Sequence, residues 1–500
     1  MPGFFVENFG CRATQADGAA LERQFEERGL SRASNAKNAA VVILNTCTVT
    51  AGADQDARAA IRRVQRQNPE ARIIVTGCYA QRAPEEIAAL PGVEMVVGNS
   101  HKHQLAEIVG SSGLGMQWNL PREKAEFPRP TFVPVTQLNG SAGSPIFVSD
   151  IFAHTELLAA PVFDAANERT RPNLKIQDGC DNRCSFCVIP YVRGQSRSME
   201  MDRILREVNV LVNAGYREVV VSGINLGRWG RDLDLTRQTL DLSQAPTEDA
   251  GPRPEAEGPR SVFRKAGAEN RKPDLVNLIR VILFETDLEK LRLSSVEPMD
   301  WSDELISLVA SSPRIAKHAH VPMQSGSDAV LRRMHRKYRP WHYRAKIEKI
   351  RAAMPDAAIG ADVMVGFPGE TDADFEATRR MIDDLPFTYL HVFTYSARPG
   401  TPAAEMANQV PVNIARERNR ILRALAAEKK LAFMRRFIGK TVQAITLNVI
   451  GSDQDGEFTE ALTDNYLKFR LRGRHEANRW QTVTVQKVEC GFLLGLPEAN

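Results

Sequence analysis

Short apolar runs alternate with segments of helical periodicity along most of this chain, and that alternation restricts the fold to parallel sheets flanked by helices. It is clearest near the start. Residues 4–11 (FFVENFGC), 41–47 (VVILNTC) and 72–78 (RIIVTGC) read as strands, each followed by a helical pattern. In one such helix, residues 57–67, Ala57, Ile61 and Val64 share a face. In a doubly wound parallel sheet the C-terminal strand ends lie along one edge, where ligands bind. Cys11, Cys47 and Cys78 each close one of these runs, so the sheet brings them together across a long sequence separation. One cysteine ending a core strand is most often packing. Three at equivalent positions, each beside Gly or Thr, point instead to a three-thiolate cluster site.

From about residue 169 to 401 the strand–helix units continue, with strands at 174–177, 218–221, 290–294, 320–322, 358–365 and 389–395. Repeats of this kind close into a full or partial (β/α) barrel whose site lies at the C-terminal strand ends. Polar and glycine residues collect there, as Ser222-Gly223, Ser294 to Glu297, Gln324 to Ser327 and Gly366 to Glu370. Singly such ends are common in α/β folds; as a series they line one pocket. Ser222, Gly223, Arg292, Glu297 and Gln324 are its candidate cofactor or substrate contacts. The first of these strands runs into Cys180-Asp-Asn-Arg-Cys184-Ser-Phe-Cys187. This C-x3-C-x2-C spacing puts three thiolates on one loop, enough to hold an iron–sulfur cluster and one short of closing it. A zinc knuckle needs a fourth Cys or His at finger-like spacing, and none follows.

Two stretches break the alternation. Residues 111–168 and 234–273 are rich in Pro, Gly, Ser and charge, and read as an inter-domain linker and a surface insertion. Residues 411–435 form a helical pattern with Ile414, Ile421, Leu425 and Ala432 on one stripe, and Arg416, Arg418, Arg420, Arg423, Lys429 and Lys430 elsewhere. Beyond it, four short strand patterns at 441–449, 458–463, 467–471 and 482–488 suggest a small antiparallel barrel. Lys468, Arg470, Arg472, Arg474 and Arg479 lie near Tyr466, Phe469 and Trp480, a combination suited to single-stranded RNA. Cys490 reads as packing. The chain thus divides into 1–110, a linker, a core at 169–410, a basic helix and a terminal barrel at 436–500. Seven cysteines in 500 residues are no disulfide scaffold, and no stretch of about 18 apolar residues suggests a membrane span. The expected compartment is the cytoplasm. A net charge of +4 identifies no polyanionic partner by itself.

The C-x3-C-x2-C loop resembles the signature of radical S-adenosylmethionine (SAM) enzymes. The whole order of parts resembles the methylthiotransferases of that superfamily. The matching stretches are NFGCRATQADG, NTCTVT, TGCYAQ, KIQDGCDNRCSFCVIPYVRGQSRS, GINLGRWGRDL, RLSSVEP, HVPMQSGSD, DVMVGFPGET and YSARPGTPA. The resemblance implies two [4Fe-4S] clusters. One, on Cys180, Cys184 and Cys187, binds SAM and cleaves it to a 5′-deoxyadenosyl radical; Gly223 would let the backbone approach the methionyl group. The other, on Cys11, Cys47 and Cys78, carries the sulfur to be methylated and inserted. It also implies a C-terminal TRAM domain, a tRNA anticodon loop as partner, and an electron donor such as a flavodoxin or ferredoxin. The residues around Cys47 and Cys78 look most like the branch acting at position 2 of N6-threonylcarbamoyladenosine. The same chemistry on N6-isopentenyladenosine or on a ribosomal protein side chain is the alternative within the family. A non-catalytic iron–sulfur RNA-binding protein is the alternative outside it, and the open three-cysteine spacing argues against that.

Overall fold

The run VVILNT is buried at all six positions, as only a strand covered on both faces can be. In the computed structural model, which describes residues 3–111, 144–154, 157, 170–233, 273–454 and 456–497, it is strand β3 (Val41–Thr46), near the middle of a six-stranded parallel sheet. Its neighbours are β1 (Gly3–Asn8), β2 (Ser31–Arg32), β4 (Arg72–Gly77), β5 (Val93–Gly98) and β6 (Ile146–Phe147), in the order β2-β1-β3-β4-β5-β6. Val42 and Leu44 pack on one side under the helix Ala51–Gln67, through its Ala57, Ile61 and Val64. Val41 and Ile43 pack on the other, against Leu21 and Phe25 of the helix Arg12–Glu26. Strand β6 comes from the stretch expected to be linker. Its residues Ile146 and Phe147 pair with Val96 and Val97, so this piece completes the first sheet. The linker's other residues (bar 111, 144–154 and 157) and the insertion up to residue 272 lie outside the described residues.

The second unit is a partial barrel. Strands β7 (Asn173–Asp178), β8 (Arg197–Ser198), β9 (Glu218–Gly223) and β10 (Lys290–Leu293) form one sheet. Strands β11 (His318–His320), β12 (Ala358–Val365) and β13 (Tyr389–Thr394) form another. Parallel bridges Leu291 to Ile315 and Ser295 to His320 join β10 to β11, so six parallel strands curve around one interior. Side-chain caps start the intervening helices where the sequence supplies them. Thr371 and Asp374 make a capping box for Asp372–Asp384, and Asp274 accepts from Asn277 N at 2.8 Å at the head of Leu275–Glu285.

The helix Val412–Arg435 lies against β13, with Asn419 Nδ2 donating to Val392 O at 3.0 Å. Its buried stripe is Ala415, Arg418, Leu422, Ala426 and Phe433. Ile414 is exposed, so the expected stripe is rotated by one residue. The reason is Arg418, which pairs with Glu370 (2.6 Å) and Asp372 (2.7 Å) and so takes an inward position. The chain then closes a five-stranded barrel of β14 (Thr441–Asp453), β15 (Gly456–Thr463), β16 (Lys468–Arg472), β17 (Trp480–Glu489) and β18 (Phe492–Pro497). Strand β18 was not expected, and it closes the barrel by a parallel pairing with β16 among otherwise antiparallel ones. Phe469 is fully buried in the barrel core, and Cys490 is exposed in the turn before β18 at φ 49°. Neither has the role expected of it. Among the described residues no helix is long and apolar enough to cross a membrane.

Candidate active site

Strands β1, β3 and β4 are adjacent and parallel, so Cys11, Cys47 and Cys78 emerge side by side at one edge. Cys11 and Cys78 head the helices Arg12–Glu26 and Cys78–Arg82, Cys11 as the N-cap. Gly10 stands at φ +99°, and a Cβ there would lie 2.6 Å from Cys47 Cβ and 2.8 Å from its Sγ. Only glycine lets the first strand end come this close to the second. Burial pushes the Cys47 thiol up to about 12, and charges on Cys78 and Cys11 push the same way, so the three thiols feel one another. The fully buried Arg193 offsets them. Burial disfavours its charge, but Asp17, Asp178, Cys78 and Cys11 hold its pKa well above the ordinary value. Asn99 Nδ2 donates to Cys78 Sγ at 3.5 Å.

The second triad sits on the loop after β7. Asn182 N (3.4 Å) and Asn225 Nδ2 (3.7 Å) donate to Cys180 Sγ, and Arg336 Nη1 donates to Cys184 Sγ at 3.2 Å. Burial pushes Cys187 up to about 12, with Cys184 and Cys180 adding to it. The donor sets, with amide and guanidinium groups supporting the sulfurs, fit clusters.

Between the triads lies a cavity of about 480 Å³. Cys11 forms part of its wall, and Asn225, which also lines it, touches Cys180. Of the five residues expected in the pocket, Ser222, Gly223, Glu297 and Gln324 line it. Glu297 is held by Arg336, and Gln324 takes a left-handed φ of 63° while its N–H donates to Asp362 O at 2.8 Å. Gly223 is shaped by a protein neighbour: a Cβ there would meet Gln177 Oε1 at 2.8 Å. That same Oε1 accepts from Asn225 N at 2.7 Å, while Gln177 Nε2 donates to Gly179 O at 2.9 Å. Gln177 thus locks the cysteine loop to the end of β9.

Arg292 does not line the cavity. It points the other way from Leu293, is 1% exposed, and its Nε donates to Glu218 Oε1 at 2.6 Å. Its guanidinium lies 5.4 Å from the ring centre of Tyr466. Tyr466, from the C-terminal barrel, is itself part of the cavity wall, as is Arg12 from the first unit. Other wall residues that sequence reasoning missed include His318, His320, Asp362, Tyr389 and His391. The alternation of β12 and β13 was a signal for the last three; nothing local marks Tyr466 or Arg12.

A buried charge network docks the first unit on the barrel. Asp17 pairs with Lys102 (3.1 Å), Arg193 (2.9 Å) and Lys175, and Asp178 pairs with Lys175 (2.8 Å) and Arg193 (2.9 Å). On the far side Asp54 pairs with Arg82 (2.9 Å) and Arg398, and accepts from Thr48 Oγ1 at 2.6 Å. Thr48 follows Cys47 directly. The cysteine edge is therefore clamped over the mouth of the barrel.

Parallel strands, a three-cysteine loop after the first barrel strand and a cavity at the strand ends define a radical SAM enzyme. The family described as "Radical SAM superfamily" matches residues 174–382, and "Uncharacterized protein family UPF0004" matches residues 3–98. Threonylcarbamoyladenosine tRNA methylthiotransferase MtaB of Bacillus subtilis (strain 168) is 32% identical, covering 93% of this chain and 90% of its own. The protein of that name from Rickettsia prowazekii (strain Madrid E) is 34% identical over 89% and 87%. A tRNA-2-methylthio-N(6)-dimethylallyladenosine synthase of Novosphingobium aromaticivorans is 32% identical over 88% and 86%. The chain belongs to the radical SAM methylthiotransferases, and its cofactors include SAM and a [4Fe-4S] cluster.

Proposed function

We propose that this enzyme inserts a methylthio group at position 2 of N6-threonylcarbamoyladenosine beside the anticodon of tRNA. The observation that carries this reading is a cavity with Cys11 in its wall and Cys180 one hydrogen bond behind it. When bound, the cluster on Cys180, Cys184 and Cys187 would supply the electron that cleaves SAM, and a second on Cys11, Cys47 and Cys78 the sulfur. An aromatic C–H at neutral pH calls for such cofactor chemistry. The chain's own residues bring the reactants together. Asn225 and Arg336 fix the loop sulfurs, Glu297 and Gln324 offer polar contacts to SAM, and the clamps at Asp17 and Asp54 hold the first unit in register over the base.

The threonylcarbamoyl group ends in a carboxylate and a hydroxyl, whereas the isopentenyl group is a hydrocarbon. Arg12, His320, His391 and Tyr466 on the wall favour the polar modification, because burying such groups unpaired against a hydrocarbon costs about 1–3 kcal/mol each. The flanks of Cys47 and Cys78 support the same branch. The C-terminal barrel, a TRAM-like unit in this reading, contributes cations stacked on rings. The exposed Lys468 lies 5.3 Å from the ring centre of Phe492, a surface suited to an RNA backbone and its unstacked bases. A flavodoxin or ferredoxin would deliver the electrons.

The test is nucleoside mass spectrometry of tRNA from cells lacking the gene and from cells with it restored. Loss and return of 2-methylthio-N6-threonylcarbamoyladenosine is the expected result. Loss of the isopentenyl analogue instead would overturn the substrate. In vitro, Cys184→Ala should abolish 5′-deoxyadenosine formation, while Cys47→Ala should retain much of it and stop sulfur insertion. Equal loss in both would refute the division of labour between the triads.

A further inference from the structure

Three adjacent strands place two imidazoles and a carboxylate on the inner face of the barrel. Asp362 on β12 and His391 on β13 are direct Cα partners, and His320 on β11 pairs with Gly360, two residues from Asp362 on the same face. One ligand atom from each of His320, Asp362 and His391 lies within 4.8 Å of the others. His320 Nε2 is 3.4 Å from Asp362 Oδ1, and the two imidazole centres are 5.6 Å apart. His320 is 7% exposed, and its Nε2 has no hydrogen-bond partner. Its other nitrogen, Nδ1, lies 2.6 Å from Ser295 Oγ. With Nδ1–H donating to that hydroxyl, the Nε2 lone pair points at Asp362 and His391. This is how proteins fix the tautomer of a metal-ligating histidine.

We propose that His320, Asp362 and His391 bind a divalent first-row cation, of the zinc or ferrous-iron class, in the wall of the active-site cavity. Two imidazoles and one carboxylate suit such ions, and they occupy only part of the coordination sphere. All three residues line the cavity, so the remaining positions open onto it. The site uses none of the six cluster cysteines. It adds positive charge beside Arg12, where the proposed threonylcarbamoyl carboxylate would sit. That last clause alone rests on the substrate reading above.

The test uses the full chain with both cysteine triads loaded with iron, so that added zinc cannot occupy thiolates. Equilibrium dialysis against zinc chloride followed by metal analysis should find about one equivalent of zinc per chain beyond the iron. The isosteric Asp362→Asn and the His391→Ala variants should bind at least about tenfold more weakly, as loss of one ligand predicts, with iron content and melting temperature unchanged. In difference spectra against the iron-loaded protein, cobalt(II) added to the wild type should give nitrogen- and oxygen-ligated d–d bands without new thiolate charge transfer. No uptake by the wild type, equal uptake by both variants, or a thiolate band would each overturn the site. None of these readouts involves RNA, so the site can stand if the substrate reading fails, and the nucleoside experiment can succeed without it.

Discussion

Replacing Asp17 by Asn should loosen the first unit from the barrel, because this carboxylate is the shared anion of three buried cations. Its side chain is 2% exposed, and Lys102, Lys175 and Arg193 surround it. Burial pushes its pKa up, but Arg193, Lys102 and Lys175 together bring it down from 3.8 to about 2. At about 1.36 kcal/mol per pKa unit that depression amounts to roughly 2–3 kcal/mol in favour of the charged form. Asn keeps the shape, deprives Lys102 of its carboxylate and leaves Lys175 and Arg193 to share Asp178, and removing one partner from a buried network costs about 3–5 kcal/mol. A loss of about 3 kcal/mol lowers the melting midpoint of a unit of 150–250 residues by roughly 6–12 °C. The control is Arg23→Ala, which removes a 3.9 Å bridge to Glu207 from a side chain 42% exposed; such pairs contribute about 0–1 kcal/mol. The pH dependence follows from the sign. A carboxylate with a depressed folded-state pKa stabilises fully above its unfolded value, and that contribution is lost as pH falls from about 4 to about 2. Anaerobic melts of wild type should steepen over that window, and those of Asp17→Asn should not. Equal shifts in the Asp17 and Arg23 variants would show that the network does not hold the units together.

Arg292→Ala should destabilise by up to about 3 kcal/mol, because the buried Glu218 keeps only the longer 3.5 Å pair with Arg171, yet leave SAM affinity per folded molecule unchanged; a selective rise in the SAM Kd would put Arg292 back in the pocket. Gly10→Ala should deplete iron at the first triad and spare the second, since its Cβ collides with Cys47; Mössbauer or iron counts on the two triads separately measure this, and full occupancy would refute it. The thiols of Cys47 and Cys187, held up at about 12, are neutral in the cluster-free protein at neutral pH. Iron loading must therefore release protons and tighten as pH rises from 7 to 9; uptake that ignores pH would contradict this. In the cluster-free fold the same raised pKa values stabilise below about 9 and cease to do so as pH climbs towards 12.

The sequence by itself determined the strands, their direction and the cysteines at their ends. Each of those depends on contacts within a few residues: a period of two or 3.6, a cap, a spacing such as C-x3-C-x2-C. Strands β2, β6 and β8 escaped because each is two residues long and has meaning only through its partner strand; β5 and β18, six residues each, escaped as well. Which side chains meet in the cavity was decided by tertiary structure. In a strand buried on both faces, apolar patterning does not say which alternate residues point inward, so Leu293 of β10 reaches the cavity and Arg292 does not. The stripe of the helix Val412–Arg435 turned by one residue because Arg418 found Glu370, 48 positions away. Arg12 and Tyr466 reach one cavity from opposite ends of the chain, brought there by the buried ion pairs and the β-barrel docking that no local pattern encodes.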